Sequence, residues 1–254
     1  MAITIKSERE IELMAEAGKI LERVHNELEK ALHPGMSTKD IDTLGEEIIR
    51  SYGCIPSFLN YNGYPASICV SVNQEVVHGI PDKHRIIHEG DIVSLDAGLI
   101  YKGYHSDAAR THAVGEVSEE AKKLIQVTKE CFFEGIKYAK AGNHLFDISG
   151  AIGRYAEERG YGVVRDLCGH GIGTALHEAP EIPNYEVGRK GVKLRPGMTL
   201  AIEPMINIGT YEVDWLDDDW TVVTRDGFLS AHYENTILIT EGEPRILSLT
   251  CDNE

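Results

Sequence analysis

The chain has no apolar run approaching the eighteen or more residues of a membrane-spanning helix. Its first ten residues, MAITIKSERE, already carry charge, which argues against a secretory signal. Cations are in the minority: 25 Lys and Arg stand against 41 Asp and Glu, a net charge of −16. No basic stripe stands out, so nucleic acid and anionic membrane surfaces are not expected partners. The five cysteines (Cys54, Cys69, Cys131, Cys168 and Cys251) are odd in number and form no Cys-x-x-Cys pair. They read as reduced thiols of a cytoplasmic protein. No low-complexity stretch or linker divides the 254 residues, and 42% hydrophobic content is enough for a packed core. The chain therefore reads as one domain, residues 1–254.

What is present is regular. Ser7 and Glu10 form a capping box before an amphipathic stretch through Leu28. Ser37 opens a second helix to about Ser51, closed by Tyr52-Gly53. Helical pattern returns from Ser118 to about Lys140, and from His144 to Arg159, closed by Gly160. Between and after these lie β-rich runs: SICVSV, DIVSLD, LIYKGYH and ARTHAV, then TLAIEP, MINIGTYEV, WTVVT and ENTILIT.

The order repeats. Gly35 stands five before Asp40, as Gly142 stands five before Asp147. Tyr52-Gly53 recurs as Tyr161-Gly162, and His78-Gly-Ile-Pro81 as His177-Glu-Ala-Pro180. Gly90 precedes Asp96 by six, as Gly197 precedes Glu203, and HSDA from His105 echoes HYEN from His232. These echoes imply two αβ halves, about 1–117 and 118–254, related by an approximate twofold. The second carries roughly 20 extra residues between its last two strands, by comparison of the two spacings in a fold of paired strands. A site between the halves is the expected place for function.

The matched positions indicate the chemistry. Acid meets acid, Asp96 with Glu203 and Asp107 with Glu234, and His78 meets His177. A turn near 101–102 is expected to set Asp96 opposite Asp107 on a hairpin, with Cβ atoms roughly 5 Å apart. Two carboxylates that close repel by about 4 kcal/mol at an effective dielectric of 20. Folding the halves together would gather four of them, and two divalent cations would balance the charge. GHGIGTALHEAP, from Gly169, adds two histidines on backbone that three glycines and Pro180 keep from being helical. A lone Asp or His is ordinarily a cap or a hydrogen-bonding residue; duplication in register is what points to a site. By contrast Cys54, Cys131 and Cys251 read as packing or surface filler. Glu46-Glu47, Glu119-Glu120 and Asp217 to Asp219 read as solvated charge.

Taken together, NGYPASICVSVNQEVVHGIP, GDIVSLDAG with HSDAAR, GHGIGTALHEAP, GMTLAIEP and SAHYENTILIT resemble the type I methionine aminopeptidases over essentially the whole chain. The resemblance is to the short bacterial form, without an N-terminal zinc-finger extension or a long C-terminal helical insertion. It implies an α+β pita-bread fold, two pseudo-symmetric halves with a curved antiparallel sheet covered by helices. It further implies a dinuclear metal site of Asp96, Asp107, His170, Glu203 and Glu234. In that arrangement Asp107 and Glu234 bridge, Asp96 chelates one ion, and His170 with Glu203 holds the other. Glu203 doubles as acid and base, while His78 and His177 flank the substrate. Tyr61, Tyr64, Cys69 and Trp220, with Phe58 and Leu176 beside them, form the methionine pocket. Leu176 replaces a Phe common in bacterial members, which makes the pocket looser. Mn, Fe(II), Co and Zn all suit the ligand set, and Asn73 with Ser230 matches a monovalent-cation site.

The implied activity is removal of the N-terminal methionine of nascent polypeptides whose second residue is small. The implied enzyme is a cytoplasmic monomer that meets nascent chains at the ribosome. The chain's own Met1-Ala2 is such a substrate. Two rivals share the fold. Prolidases and aminopeptidase P cleave X-Pro bonds but carry a further N-terminal domain, for which 254 residues leave no room. A non-catalytic binding module would not keep all five ligands and both histidines.

Overall fold

The computed structural model describes residues 2–249; Met1 and Cys251 lie outside them. Four long helices form: α1 (Glu8–Ala31), α2 (Thr38–Ser51), α3 (Glu119–Ile136) and α4 (Leu145–Glu157). In the first half the strands are β1 (Ile55–Pro56), β2 (Ile68–Val72), β3 (Glu75–Val77), β4 (Ile92–Tyr101) and β5 (Tyr104–Ala113). The second half contributes β6 (Gly162–Val163), β7 (Gly169–Gly171), β8 (Glu178–Ile182), β9 (Thr199–Ile202) and β10 (Met205–Asn207). It closes with β11 (Val213–Trp215), β12 (Val222–Thr224), β13 (Ser230–His232), β14 (Glu234–Leu238) and β15 (Arg245–Ile246).

Ser7 and Ser37 both close capping boxes, with Glu10 and Asp40, so α1 and α2 start where the sequence places them. Helix α3 stops at Ile136, short of the expected Lys140. Asn143 Nδ2 donates to the Tyr138 carbonyl at 3.0 Å, which turns the chain toward α4. The repeat is visible in the backbone: Gly35 and Gly142 both have φ of 95°, and Gly90 and Gly197 have φ of 94° and 85°. The helix closers are Gly53 and Gly160, with φ of 71° and 84°. Gly162 instead opens β6, so the Tyr161-Gly162 echo is displaced by two residues from the true structural equivalent.

One nine-stranded sheet dominates, with main order β1-β4-β5-β14-β9-β7-β8; β2 also pairs with β4, and β15 with β14. Every pairing in it is antiparallel. The halves join where β5 pairs with β14. Alternation along the strands divides the two faces. Val93, Leu95, Ala97, Leu99 and Ala108 pack with Ala17, Leu21, Val24 and Leu28 of α1 and Ile41, Ile48 and Ile49 of α2. Leu200, Ile202 and Ile237 pack with Leu124, Val127 and Phe132 of α3 and Ile148 and Ile152 of α4. Each such fully buried side chain contributes about 1.5–3 kcal/mol. The intervening residues face the other way, and the polar ones among them make the site.

The roughly 20 residues between Asn207 and Ser230 are not a loose loop. They form the β11–β12 hairpin, which pairs with β3 of the first half. Asp218, expected to be solvated, accepts from Trp220 N, Thr221 N and Thr221 Oγ1 at 2.9, 2.7 and 2.6 Å. It fixes the turn that carries Trp220. Glu46 is likewise engaged, accepting from Ser67 Oγ at 2.7 Å.

Candidate metal centre

Strands β4 and β5 join through Lys102-Gly103, with φ of 48° and 87°, a two-residue turn that suits the right-handed twist of the strands. This centres the hairpin one residue later than expected. Asp96 therefore faces Ala109, and Asp107 faces Gly98. The two acids are diagonal neighbours on one face, not direct partners. The correction widens their separation and leaves room between them.

The register lines up the rest. Cys69 pairs with Asp96, Asp96 with Ala109, and Ala109 with Glu234. On β9, Ala201 pairs with Thr236 on one side and His170 on the other, and Glu203 follows two residues on. Beyond the Ala108–Asn235 pair the direct β5–β14 ladder gives way to the Thr236 hydroxyl. It accepts from Asp107 N and donates to Asp107 O, both at 3.0 Å. His170 can sit so close to β9 because its neighbours lack side chains. A Cβ on Gly169 would strike the Ala201 carbonyl, and one on Gly171 the Ala179 carbonyl. The non-helical backbone expected of GHGIG is thus extended, a short strand β7 bulged against β8.

Asp107, His170 and Glu234 offer ligand atoms all within 4.8 Å of one another, and so do Glu203, His232 and Glu234. His170 Nε2 lies 3.6 Å from Glu203 Oε1 and 3.8 Å from Asp107 Oδ2. Asp96 Oδ1, Asp107 Oδ1 and Glu234 Oε1 are buried without a hydrogen-bond partner. Burial pushes the Asp96 carboxyl up to about 7. Burial, then the charge of neighbouring acids, raises Asp107, Glu203 and Glu234 well above the usual carboxylate range. The guanidinium of Arg110 does not rescue them. It donates to the carbonyls of Ala109 and Glu234 and to Asn235 Oδ1. Three buried acids with unsatisfied oxygens, the partly exposed Glu203 and a neutral imidazole fit divalent cations. Burial and then the ring of His177 hold His170 down to about 3, so it is neutral. Its Nδ1 is 2.9 Å from the Gly171 carbonyl, so Nδ1 carries the proton and Nε2 turns a lone pair to the acids.

Beside the acids is a cavity of about 140 Å³. The structure brings every residue predicted for the metal centre and the methionine pocket to its wall: Phe58, Tyr61, Tyr64, Cys69, His78, Asp96, Asp107, His170, Leu176, His177, Glu203, Trp220 and Glu234. Trp220 meets Tyr64 edge-on at 5.1 Å and His78 at 6.3 Å. Gly98 gives Phe58 its place, since a Cβ there would stand 2.8 Å from the ring. Tyr64 Oη donates to the Gly79 carbonyl at 3.0 Å. His78 has φ of 59°, a conformation rare outside glycine and Asn that commonly accompanies a functional constraint. Burial, then His177, holds it down to about 4.

Two residues escaped the sequence reading. Asn62 also lines the cavity. His232 has Nε2 3.8 Å from Glu203 Oε2 and 3.9 Å from Glu234 Oε2. The signal for it in the sequence is the echo of HSDA in HYEN, which pairs His105 with His232 as it pairs Asp107 with Glu234. Asn73 and Ser230 do meet, through Ser230 N and the Asn73 carbonyl at 3.0 Å. Their side chains are engaged elsewhere. Asn73 Nδ2 donates to Asp91, Asn73 Oδ1 accepts from Ile92 N, and Ser230 Oγ donates to the Ile206 carbonyl.

The model of metallopeptidase family M24 matches residues 12–241. A methionine aminopeptidase of Clostridium acetobutylicum is 58% identical, over 97% of this chain and 99% of its own. The crystal structure of a methionine aminopeptidase from Thermotoga maritima superposes with a TM-score of 0.96 at 47% identity, covering 98% of this chain and 100% of that one. An Xaa-Pro dipeptidase from Bacillus anthracis shares the fold at a TM-score of 0.78 and 27% identity, but only 62% of its chain is covered.

Proposed function

Because the chain belongs to metallopeptidase family M24, among its methionine aminopeptidases, we propose that it removes the N-terminal methionine of nascent polypeptides and peptides when the second residue is small. The observation that carries this reading is the set of partnerless buried carboxylates beside His170, opening onto a sulfur-tolerant, half-aromatic pocket. We assign Asp96, Asp107, His170, Glu203 and Glu234 as ligands of two divalent ions, with Asp107 and Glu234 shared. Such ions, when bound, lower the pKa of a shared water and polarise the scissile carbonyl.

The remaining steps belong to side chains. Glu203 accepts the water proton and hands it to the departing amine. His177 donates to the carbonyl oxygen as it gains charge, and His78 contacts the peptide nitrogen. Tyr61, Tyr64, Cys69 and Trp220, with Phe58 and Leu176, enclose the methionine side chain. The substrate's free amine turns to the acids, which makes the enzyme an exopeptidase. Residues 1–254 act as one catalytic domain with halves meeting near 117, and the expected form is a cytoplasmic monomer that works beside the ribosome. Among the described residues, no helix is long and apolar enough to cross a membrane. A monovalent cation near Asn73 and Ser230 is part of the same reading; the Asn73 carbonyl accepts from Ser230 N there.

The test is metal quantitation on purified protein, then anaerobic titration of metal-free protein with Mn, Fe(II), Co and Zn, read by cleavage of Met-Ala-Ser. Cleavage restored by one or more of these ions supports the reading. Hydrolysis of Xaa-Pro dipeptides without release of methionine from Met-Ala-Ser would transfer the chain to the prolidase branch.

A further inference from the structure

His232 is the one imidazole at the centre to which family likeness gives no role. It is 1% exposed, and neither ring nitrogen has a hydrogen-bond partner among the described residues. A fully buried imidazole with both nitrogens unsatisfied is costly, because each polar group has given up water without gaining a partner. Its backbone is fixed: His232 N donates to Thr111 Oγ1 and the Thr111 hydroxyl donates to His232 O, each at 2.9 Å. Register holds it as well, since β13 pairs His232 with Met205 of β10. The ring is thus aimed by its strand.

Glu203 lies between two imidazoles, with Oε1 3.6 Å from His170 Nε2 and Oε2 3.8 Å from His232 Nε2. His232 Nε2 is also 3.9 Å from Glu234 Oε2. These separations are too long for hydrogen bonds. They match the spacing of His170, and a nitrogen and an oxygen on one ion stand somewhat over 3 Å apart when each bond is about 2.1 Å. We propose that His232 is a sixth protein ligand of the metal centre, so that one ion position is held by two imidazoles, with Glu203 and Glu234. The other nitrogen of a ligating imidazole needs a partner. His232 also lines a separate cavity of about 320 Å³, with Arg110, His112 and Tyr233, the side from which that partner would come. The two ion positions then differ in kind. One is all oxygen, from Asp96, Asp107 and Glu234, and the other is rich in nitrogen and favours Zn, Co or Fe(II) over Mg.

The inference rests on the dinuclear reading above, and the experiment separates the two. Metal-free protein is loaded anaerobically with two equivalents of Co(II), and its hyperfine-shifted, solvent-exchangeable imidazole N–H signals are counted by proton NMR. Two signals are expected, one lost in His232→Gln and the other in His170→Gln. Calorimetry should show the tighter Co(II) site weakened at least about 10-fold in His232→Gln. A single signal in the wild-type protein, with two Co(II) bound, overturns the inference and leaves the dinuclear reading standing. No Co(II) binding overturns both. The wild-type count decides the matter even if a variant fails to fold.

Discussion

The Tyr61 hydroxyl stands 2.8 Å from His177 Nδ1, and the two rings lie 5.2 Å apart. With the phenol donating, the His177 proton resides on Nε2, the form needed to donate to a developing oxyanion. Burial holds His177 below the usual histidine range, so it stays neutral and cannot supply a full positive charge. His177→Ala is expected to slow the chemical step by roughly 100- to 1000-fold with metal content unchanged. Tyr61→Phe should cost about 10-fold in kcat, near 1.4 kcal/mol, with KM for Met-Ala-Ser little altered. Single-turnover kinetics and metal analysis check both; loss of metal from His177→Ala would move that residue among the ligands.

The shared carboxylates are the next test. Asp107→Ala or Glu234→Ala should abolish most activity and lower bound metal per chain, because each would remove a ligand assigned to both ions. Full occupancy and turnover in either variant would refute a dinuclear centre.

Selectivity at the second residue follows from crowding. On the proposed reading His78 and His177 flank the position next to the scissile carbonyl; His177 packs edge-on against His170 at 4.2 Å. Met-X-Ser peptides with X = Gly, Ala or Ser should turn over well. Those with X = Lys, Leu or Phe should be slower by at least about 100-fold, roughly 2.7 kcal/mol. Equal kcat/KM for Met-Ala-Ser and Met-Lys-Ser removes the steric account.

Metal-free protein should lose stability as pH rises from 6.5 to 8.5. Asp96 titrates near 7 in the folded state, and Asp107, Glu203 and Glu234 are held well above the usual carboxylate range. A raised folded pKa gives stability that is present below the unfolded value near 4 and lost as pH climbs through the folded one. The buried histidines have depressed values. Their contribution is lost as pH falls below about 6.5, so above that they are neutral in both states. Carboxyls that still hold their proton in the folded state therefore cost stability as pH rises; for Asp96 that cost levels off above about 7, and Asp107, Glu203 and Glu234 carry the trend further. Calorimetric Tm of chelator-treated protein should fall across it, and saturating Co(II) or Zn should flatten the trend. A Tm that rises with pH in the metal-free protein contradicts the picture.

Much of this was legible because function imposed type and spacing together. Acids at the ends of apolar runs, duplicated in register, named Asp96, Asp107, Glu203 and Glu234 before any coordinates. The glycine turns at Gly35 and Gly142 gave the duplication away, since a left-handed backbone at a fixed offset leaves a letter behind. Register was harder. Lys102-Gly103 and Tyr101-Lys102 differ by one residue as turn centres, and that shift changes every cross-strand partner. His232 was missed for a different reason. Its approach to Glu203 depends on β13 pairing with β10, and three-residue strands such as Ser230–His232 are too short to show a period. The role of Asp218 was hidden because a carboxylate that caps a turn and one that faces solvent look alike in a run of acids.

The seam between the halves has a kinetic consequence. Asp107 and Thr236 touch across 129 positions of chain, and Ala109 pairs with Glu234 on the same seam. Contacts so distant in sequence form late, after most of the loop-closure entropy has been spent. Neither half alone offers more than two of the four acids, so ions gain their full grip only once the seam has closed. Bound ions should then leave the folding rate nearly untouched and slow unfolding instead, because they stabilise contacts made after the transition state. Chelation would shorten the lifetime of the folded enzyme without impairing its capacity to refold.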